Sequence, residues 1–136
     1  MRTILSIPLF LYLLIAANVA MFANPPEASL LNFVMLDFVL PSGREMILTV
    51  SDAFIIAGIC SLYIETVKAT RTSLVSIVDH GLSLLVFIVF LVELLVVERV
   101  GNTTFLILMT CSLMDVVMGF TVTISTARRD LAVGGL

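Results

Sequence analysis

The hydrophobic residues of this chain form long uninterrupted runs instead of alternating with polar residues. Four runs approach the roughly 20 apolar residues that a helix needs to cross the hydrocarbon core of a bilayer. They cover about residues 3–23, 51–67, 74–97 and 104–125. Backbone groups in lipid must find partners within their own segment, so each run is predicted to be an α-helix.

The connections between these runs predict how the helices are arranged. The second and third runs, and the third and fourth, are joined by short segments, which makes neighbouring helices antiparallel. The predicted fold is therefore an all-α integral membrane protein, an up-down four-helix transmembrane bundle. Residues 1–136 form one transmembrane domain, with an external loop at 24–50 and a cytoplasmic tail at 126–136.

The first run could instead be a cleaved signal peptide, because Arg2 precedes it and small residues lie near its end. Its apolar stretch is longer than the roughly 7–15 residues typical of a signal peptide. Asn18 and Met21 also occupy positions where a cleavage site requires small residues. The pattern therefore favours a retained span.

The loop at 24–50 is interrupted by prolines, yet it is too apolar to be a free loop. Two structures fit it equally well. The segment 28–40 could form an interfacial helix after Pro25 and Pro26, or the turn at 41–44 could join two β-prone runs into a hairpin. A short helix followed by a hairpin strand also fits. We expect this loop to be a lid on the outer face or, less simply, a docking surface for another protein.

Composition and charge place the chain in a membrane and orient it. Charged residues make up 12% of the chain, about half the share in a soluble domain. If four helices alternate, one side carries five basic residues and the other two: Arg2, Lys68, Arg71, Arg128 and Arg129 against Arg44 and Arg99. Basic residues concentrate on the cytoplasmic side, so both termini are predicted to be cytoplasmic, in a plasma membrane and specifically a bacterial inner membrane. A net charge of −3 without a basic patch argues against nucleic acid as a partner.

Ionisable groups inside the predicted spans are the candidate functional residues, since each costs about 2.5–3.5 kcal/mol on insertion scales. Asp115 lies midway along the fourth run, with Ser112 on the same helical face. His80 and Ser83 lie on one face of the third run, at a depth similar to that of Asp115. These four residues form the candidate intramembrane polar site, with an Asp115–His80 hydrogen bond as the leading structural hypothesis.

A second group of charged residues is predicted at the cytoplasmic edge. Glu65 and Lys68 are three residues apart on the second helix and can pair there. Asp79, at the start of the third helix, could reach toward Lys68, Arg71 or Arg128. Depth alone explains Glu65, Lys68 and Arg71, so these three residues are interpreted as structural.

Three polar residues near the outer ends have simple structural explanations. Asp52 follows the start of the second helix, where the helix dipole favours an acid. Glu93 lies about one turn from the end of the third helix, within reach of water. Asn102 belongs to a glycosylation sequon, but its place before the fourth helix predicts an N-cap instead.

The sequence contains no pattern that predicts catalysis. It shows no nucleophile–base arrangement, phosphate-binding loop or metal motif, and Cys60 and Cys111 lie in apolar runs as small packing residues. The predicted protein is not an enzyme and needs no cofactor. It is a small polytopic membrane protein, most simply an accessory or structural subunit acting through helix–helix contacts. Its expected partners are the bilayer and a membrane protein or a second copy of itself.

Two alternative functions depend on single buried residues. In size and number of spans the chain resembles small multidrug-resistance exporters, which suggests a proton- or cation-coupled transporter using Asp115. Those exporters carry a glutamate in the first helix, and residues 3–23 contain no acid. The lesser alternative is a haem- or quinone-binding anchor through His80, with a second axial ligand from elsewhere.

Overall fold

Helices account for most of the chain in the computed structural model. It describes residues 7–25, 29–70 and 74–133, without the side chains of 74–77, 126–127 and 129–133. The helices are α1 (Leu9–Phe22), α2 (Val50–Ala69), α3 (Leu74–Val96) and α4 (Thr103–Val133). Two strands, β1 (Val34–Val39) and β2 (Glu45–Thr49), lie between α1 and α2, and short 3-10 helices occupy Leu30–Asn32 and Glu98–Val100.

Three of the described helices are long and apolar enough to cross a membrane. The qualifying stretches are Val50–Ala69, Val78–Val96 and Thr103–Ser125. The second, third and fourth predicted runs are therefore confirmed as long apolar helices.

The first helix is shorter than predicted. The run at 3–23 is helical over Leu9–Phe22, and residues 1–6 lie outside the described part of the chain. Pro8 precedes the helix, where its ring disfavours a helical conformation for the residue before it. With 14 residues at about 1.5 Å each, α1 is about 21 Å long, less than the roughly 30 Å of a bilayer core.

The fourth helix is longer than predicted. It continues past residue 125 to Val133, so the predicted tail at 126–136 is helical over most of its length. The sequence contains neither glycine nor proline between Thr121 and Val133, and nothing local stops the helix before Gly134.

Asn102 caps the start of α4, as predicted. Its Oδ1 accepts a hydrogen bond from the backbone N–H of Phe105 at 3.0 Å, and its carbonyl accepts one from Leu106 at 3.1 Å. The side chain thereby satisfies one of the backbone donors that a helix start leaves without a partner.

An Asn102→Ala substitution is expected to lower the free energy of unfolding by about 1 kcal/mol, the usual cost of losing an N-cap. Asn102→Asp should retain most of the stability because its carboxylate can accept the same bond. Thermal unfolding in mild detergent measures the difference. The exposed neighbour provides a matched control, Thr103→Ala, and an equal loss in that variant would contradict a capping role.

Helix α4 is packed between α2 and α3, and α1 lies against α2 and α3. The α2–α4 contact is close at Gly58, where an added Cβ would lie 2.8 Å from Leu108 Cδ2. In the core between α3 and α4, the rings of Phe90 and Phe105 are 5.1 Å apart. Thus α2 and α3, although consecutive in the chain, flank α4 and do not form the closest pair.

The segment between α1 and α2 forms the predicted hairpin. β1 and β2 are antiparallel, with Phe38 opposite Met46, and the Leu40 N–H donates to Arg44 O at 2.8 Å across the turn. Gly43 has φ +80°, a conformation that favours glycine. The combination of a short helix and a hairpin is confirmed, and an interfacial α-helix over residues 29–40 is wrong, because β-prone residues lead into a proline–glycine turn.

Most of the hairpin is exposed, and only the end of β2 next to α2 is half-buried. Every residue of β1 is exposed, as are the first three of β2. The preceding 3-10 helix does pack against the bundle, since Leu31 is 7% exposed and belongs to the core. Exposure of both faces of the strands does not fit a lid that covers the outer end of the bundle.

Candidate functional site

Asp115 lies in the middle of α4 and is buried. Its side chain is 3% exposed, and the Ser83 hydroxyl of α3 donates a hydrogen bond to its carboxylate. The Oδ2 atom has no hydrogen-bond partner within the described residues. One turn earlier on α4, Ser112 is fully buried, and its Oγ also has no partner there. Two buried polar atoms close in sequence on α4 are therefore without hydrogen-bond partners among the described residues.

His80 of α3 lies against α4 about one helical turn after Asp115. It is 4% exposed and packs against Gly119, where an added Cβ would lie within 3.0 Å of three ring atoms. The Phe120 ring is 6.1 Å from the imidazole, centroid to centroid. The close approach of the helices at Gly119 gives the imidazole its place between them.

The four residues of the predicted intramembrane site are thus all buried, and α3 and α4 supply two each. Ser83 and Asp115 are joined by a hydrogen bond, whereas His80 lies against Gly119. A direct Asp115–His80 hydrogen bond stays a prediction, as does any functional role for the site.

The charge cluster at the junction of α2 and α3 is built around one lysine. Lys68 Nζ lies 2.8 Å from Glu65 Oε2 and 3.6 Å from Asp79 Oδ2. The predicted pairing within α2 and the predicted reach of Asp79 toward Lys68 are both confirmed. Arg71 lies outside the described residues, and Arg128 is exposed on α4.

Glu65 has a second role that the sequence did not indicate. The backbone N–H of Leu9, at the start of α1, donates to Glu65 Oε1 at 2.6 Å, and the glutamate is 3% exposed. A helix start in an apolar setting needs an acceptor for its free N–H groups. Pro8 signals where α1 begins, but the partner is 56 residues away and is brought there by tertiary packing.

Glu93 is also held by a partner from α1. Asn18 Nδ2 donates to Glu93 Oε2 at 2.7 Å and to the Leu14 carbonyl at 3.0 Å. Glu93 is half-buried, so the expected partial hydration stays a prediction, and the structure adds a hydrogen bond between helices. The sequence contained a weak signal, since Asn18 is the one amide in the first apolar run.

The same end of the bundle contains a mixed polar and apolar cavity of about 500 Å³. Its described lining residues are Met21, Ser29, Leu31, Glu98, Arg99 and Asn102. The Arg99 guanidinium donates to the carbonyl of Asn24 and lies 4.9 Å over the Phe22 ring. Arg99 therefore ties the end of α1 to the α3–α4 connection.

Asp52 occupies its expected place, whereas Cys60, predicted as a packing residue, is exposed. Asp52 lies in the first turn of α2 and forms a capping box with Thr49, whose N–H donates to Asp52 Oδ2 at 2.9 Å. Cys60 is exposed and Cys111 is half-buried, and both are free thiols.

The chemistry open to these residues is narrow. The described residues contain no group of three or more His, Cys, Asp or Glu side chains that could hold a metal ion. Asp115, Glu65 and Asp79 can accept hydrogen bonds or take up protons, and Ser83 and Ser112 can donate to them. Comparison of the chain with family models, curated proteins and solved structures found no match. Functional interpretation therefore rests on the geometry of this chain.

Proposed function

We propose that this protein is a small multi-pass membrane subunit without enzymatic activity, which binds another membrane protein through its hairpin. Large hydrophobic side chains exposed on the helix surfaces support membrane integration. Tyr63 is 72% exposed, Leu95 74% and Val96 77%, and lipid or a neighbouring protein would remove this surface from water. In this proposal, helices α1 to α4 together form one transmembrane domain.

The positions of the basic residues support an orientation for this bundle. Lys68 lies near the start of α1 and the start of α3, whereas Arg44 and Arg99 lie toward the opposite end. The cytoplasmic face is enriched in basic residues, which favours the Lys68 end. Both termini are then cytoplasmic in a plasma membrane, specifically a bacterial inner membrane, and the hairpin is external.

The exposed apolar hairpin is the observation that carries the proposal. Its most exposed apolar residues are Phe33 (63%), Met35 (54%), Leu36 (59%), Val39 (64%) and Ile47 (53%). An isolated two-stranded hairpin is marginally stable in water. Its unpaired edges also present backbone N–H and C=O groups to any neighbouring strand. A partner strand would satisfy these groups and cover the apolar side chains together.

The charges of the hairpin favour a different protein over a second copy of this chain. Asp37 is the one charged residue of β1, and Glu45 is the one charged residue of β2. Like charges directly opposite each other in a sheet are destabilising, and opposite charges stabilise. Neither strand contains a basic residue, so a second copy offers Asp37 no cation from its own strands. The proposed partner segment is extended and apolar, with a lysine or arginine opposite Asp37.

Site-specific photo-crosslinking in native membranes tests this proposal. A crosslinker at Met35 or Leu36 is expected to give one protein adduct of defined mass, and the matched helix position Ile59, equally exposed, is expected to give lipid adducts. Asp37→Lys should reduce the hairpin adduct several-fold, whereas Asp37→Asn should reduce it less. An adduct of twice the chain mass would instead identify a second copy. Lipid adducts alone at the hairpin would contradict a protein partner.

Two alternatives stay predictions with direct tests. Transport through Asp115 would give proton-gradient-dependent flux in proteoliposomes that is lost in Asp115→Asn. A haem site at His80 would give a Soret band in the purified protein that is lost in His80→Ala.

A further inference from the structure

Two polar atoms buried on α4 have no hydrogen-bond partner among the described residues, which indicates that a ligand binds there. Asp115 Oδ2 and Ser112 Oγ are buried without partners within the described residues, on side chains that are 3% and 0% exposed. Buried polar groups are almost always hydrogen-bonded, because the interior offers them no water. A third such atom is Oδ1 of Asp79, on the neighbouring helix.

The charges around Asp115 identify what that ligand is. From α2 it faces the fields of Glu65 and Lys68, and from α3 that of Asp79. Lys68 is already shared between Glu65 and Asp79, at 2.8 Å and 3.6 Å. His80, the other titratable group of α3 at this interface, interacts electrostatically with Asp79. Asp115 is thus a third carboxyl around one lysine, a setting that favours binding a positive species there.

The number of ligating side chains near Asp115 indicates how large the bound cation is. A sodium or calcium ion takes several oxygen ligands, and the described residues offer no group of three or more His, Cys, Asp or Glu side chains that could hold a metal ion. A proton needs one oxygen and converts Oδ2 into a hydroxyl donor. Ser112 lies three residues before Asp115, where side chains of a helix are neighbours.

We infer that Asp115 is an exchangeable proton-binding site inside the bundle, with Asp79 as its entry point. A hydronium ion at the Lys68 end gives its proton to Asp79 and leaves as water. The proton then passes to the carboxyl group of Asp115, and Asp79 returns to a carboxylate. Asp79 and Ser83 are four residues apart and share a face of α3, and Ser83 donates to Asp115. These residues form a short polar route between the end of the bundle and its middle.

Infrared difference spectroscopy of the full chain in lipid nanodiscs tests this inference. The expected result is a protonated-carboxyl band that moves when water is exchanged for D₂O and is lost in Asp115→Asn. The matched control Asp37→Asn, on the exposed hairpin, should leave the band unchanged. If Asp115→Asn does not fold, isotope labelling of aspartate in the wild-type protein must still shift the band.

Three results would overturn the inference. A band that is absent at every pH would mean that Asp115 binds no proton. A band that does not respond to D₂O would mean that the proton is not exchangeable. A band that sodium chloride removes at constant pH, when potassium chloride does not, would mean that the ligand is a sodium ion. The entry role predicts that Asp79→Asn retains the band but slows its exchange in D₂O at least tenfold, and unchanged exchange would contradict that role.

Discussion

Glu65→Ala is expected to lower the free energy of unfolding by about 3 kcal/mol, the lower end of the range for breaking a buried ion pair. The substitution removes the acceptor of the Leu9 N–H at 2.6 Å and the partner of Lys68 at 2.8 Å. Among the described residues, Lys68 then retains the longer contact of 3.6 Å to Asp79. The start of α1 loses its anchor on α2 in the same step.

Thermal unfolding in mild detergent, or titration with a denaturing detergent, measures this effect. Glu65→Gln should recover part of the loss, because its amide oxygen can still accept from Leu9. Glu98→Ala is the matched control at an exposed glutamate and is expected to change stability little. A loss in Glu65→Ala no greater than in Glu98→Ala would show that the buried network does not hold α1.

Gly119→Ala is expected to cost about 1–3 kcal/mol, the usual range for overpacking a well-packed interface. The new Cβ would lie within 3.0 Å of the His80 ring, so α3 and α4 must separate or the imidazole must leave its place. Gly81→Ala is the matched control, because a Cβ at 81 meets no atom within 4 Å. That variant should be neutral or slightly stabilising, since alanine favours a helix over glycine.

A double-mutant cycle attributes the effect to the imidazole. With His80→Ala in place, Gly119→Ala should cost much less than in the wild-type background, because the overlap is gone. Equal losses in both backgrounds, measured by thermal unfolding, would show that the glycine matters for another reason. The same cycle run with Asp115→Asn and His80→Ala tests the predicted hydrogen bond between those two residues.

Local interactions were open to prediction because helical geometry fixes them. Glu65 and Lys68 pair at a spacing of three residues, Thr49 and Asp52 form a capping box, and Asn102 caps α4. Each depends on positions within one turn, where side-chain directions are known from the sequence alone.

Interactions between distant elements were not open to prediction in the same way. Asn18 meets Glu93 across 75 residues, and the sequence indicated only that both were polar groups in apolar runs. Such pairs depend on how far each helix is rotated about its axis and on which helices are neighbours. Short connections predicted antiparallel neighbours, but they did not indicate that α2 and α3 both pack most closely on α4.

By itself, the sequence determined the apolar runs, the helices they form and the proline–glycine turn of the hairpin. It also identified the ionisable residues whose burial costs free energy. These features follow from periodicity, run length and backbone conformation. Tertiary structure alone decided that Ser83 is the partner of Asp115, that Gly119 receives His80, and that Glu65 caps α1. A buried polar group must find a partner, but only the packing of whole helices determines which group comes within reach.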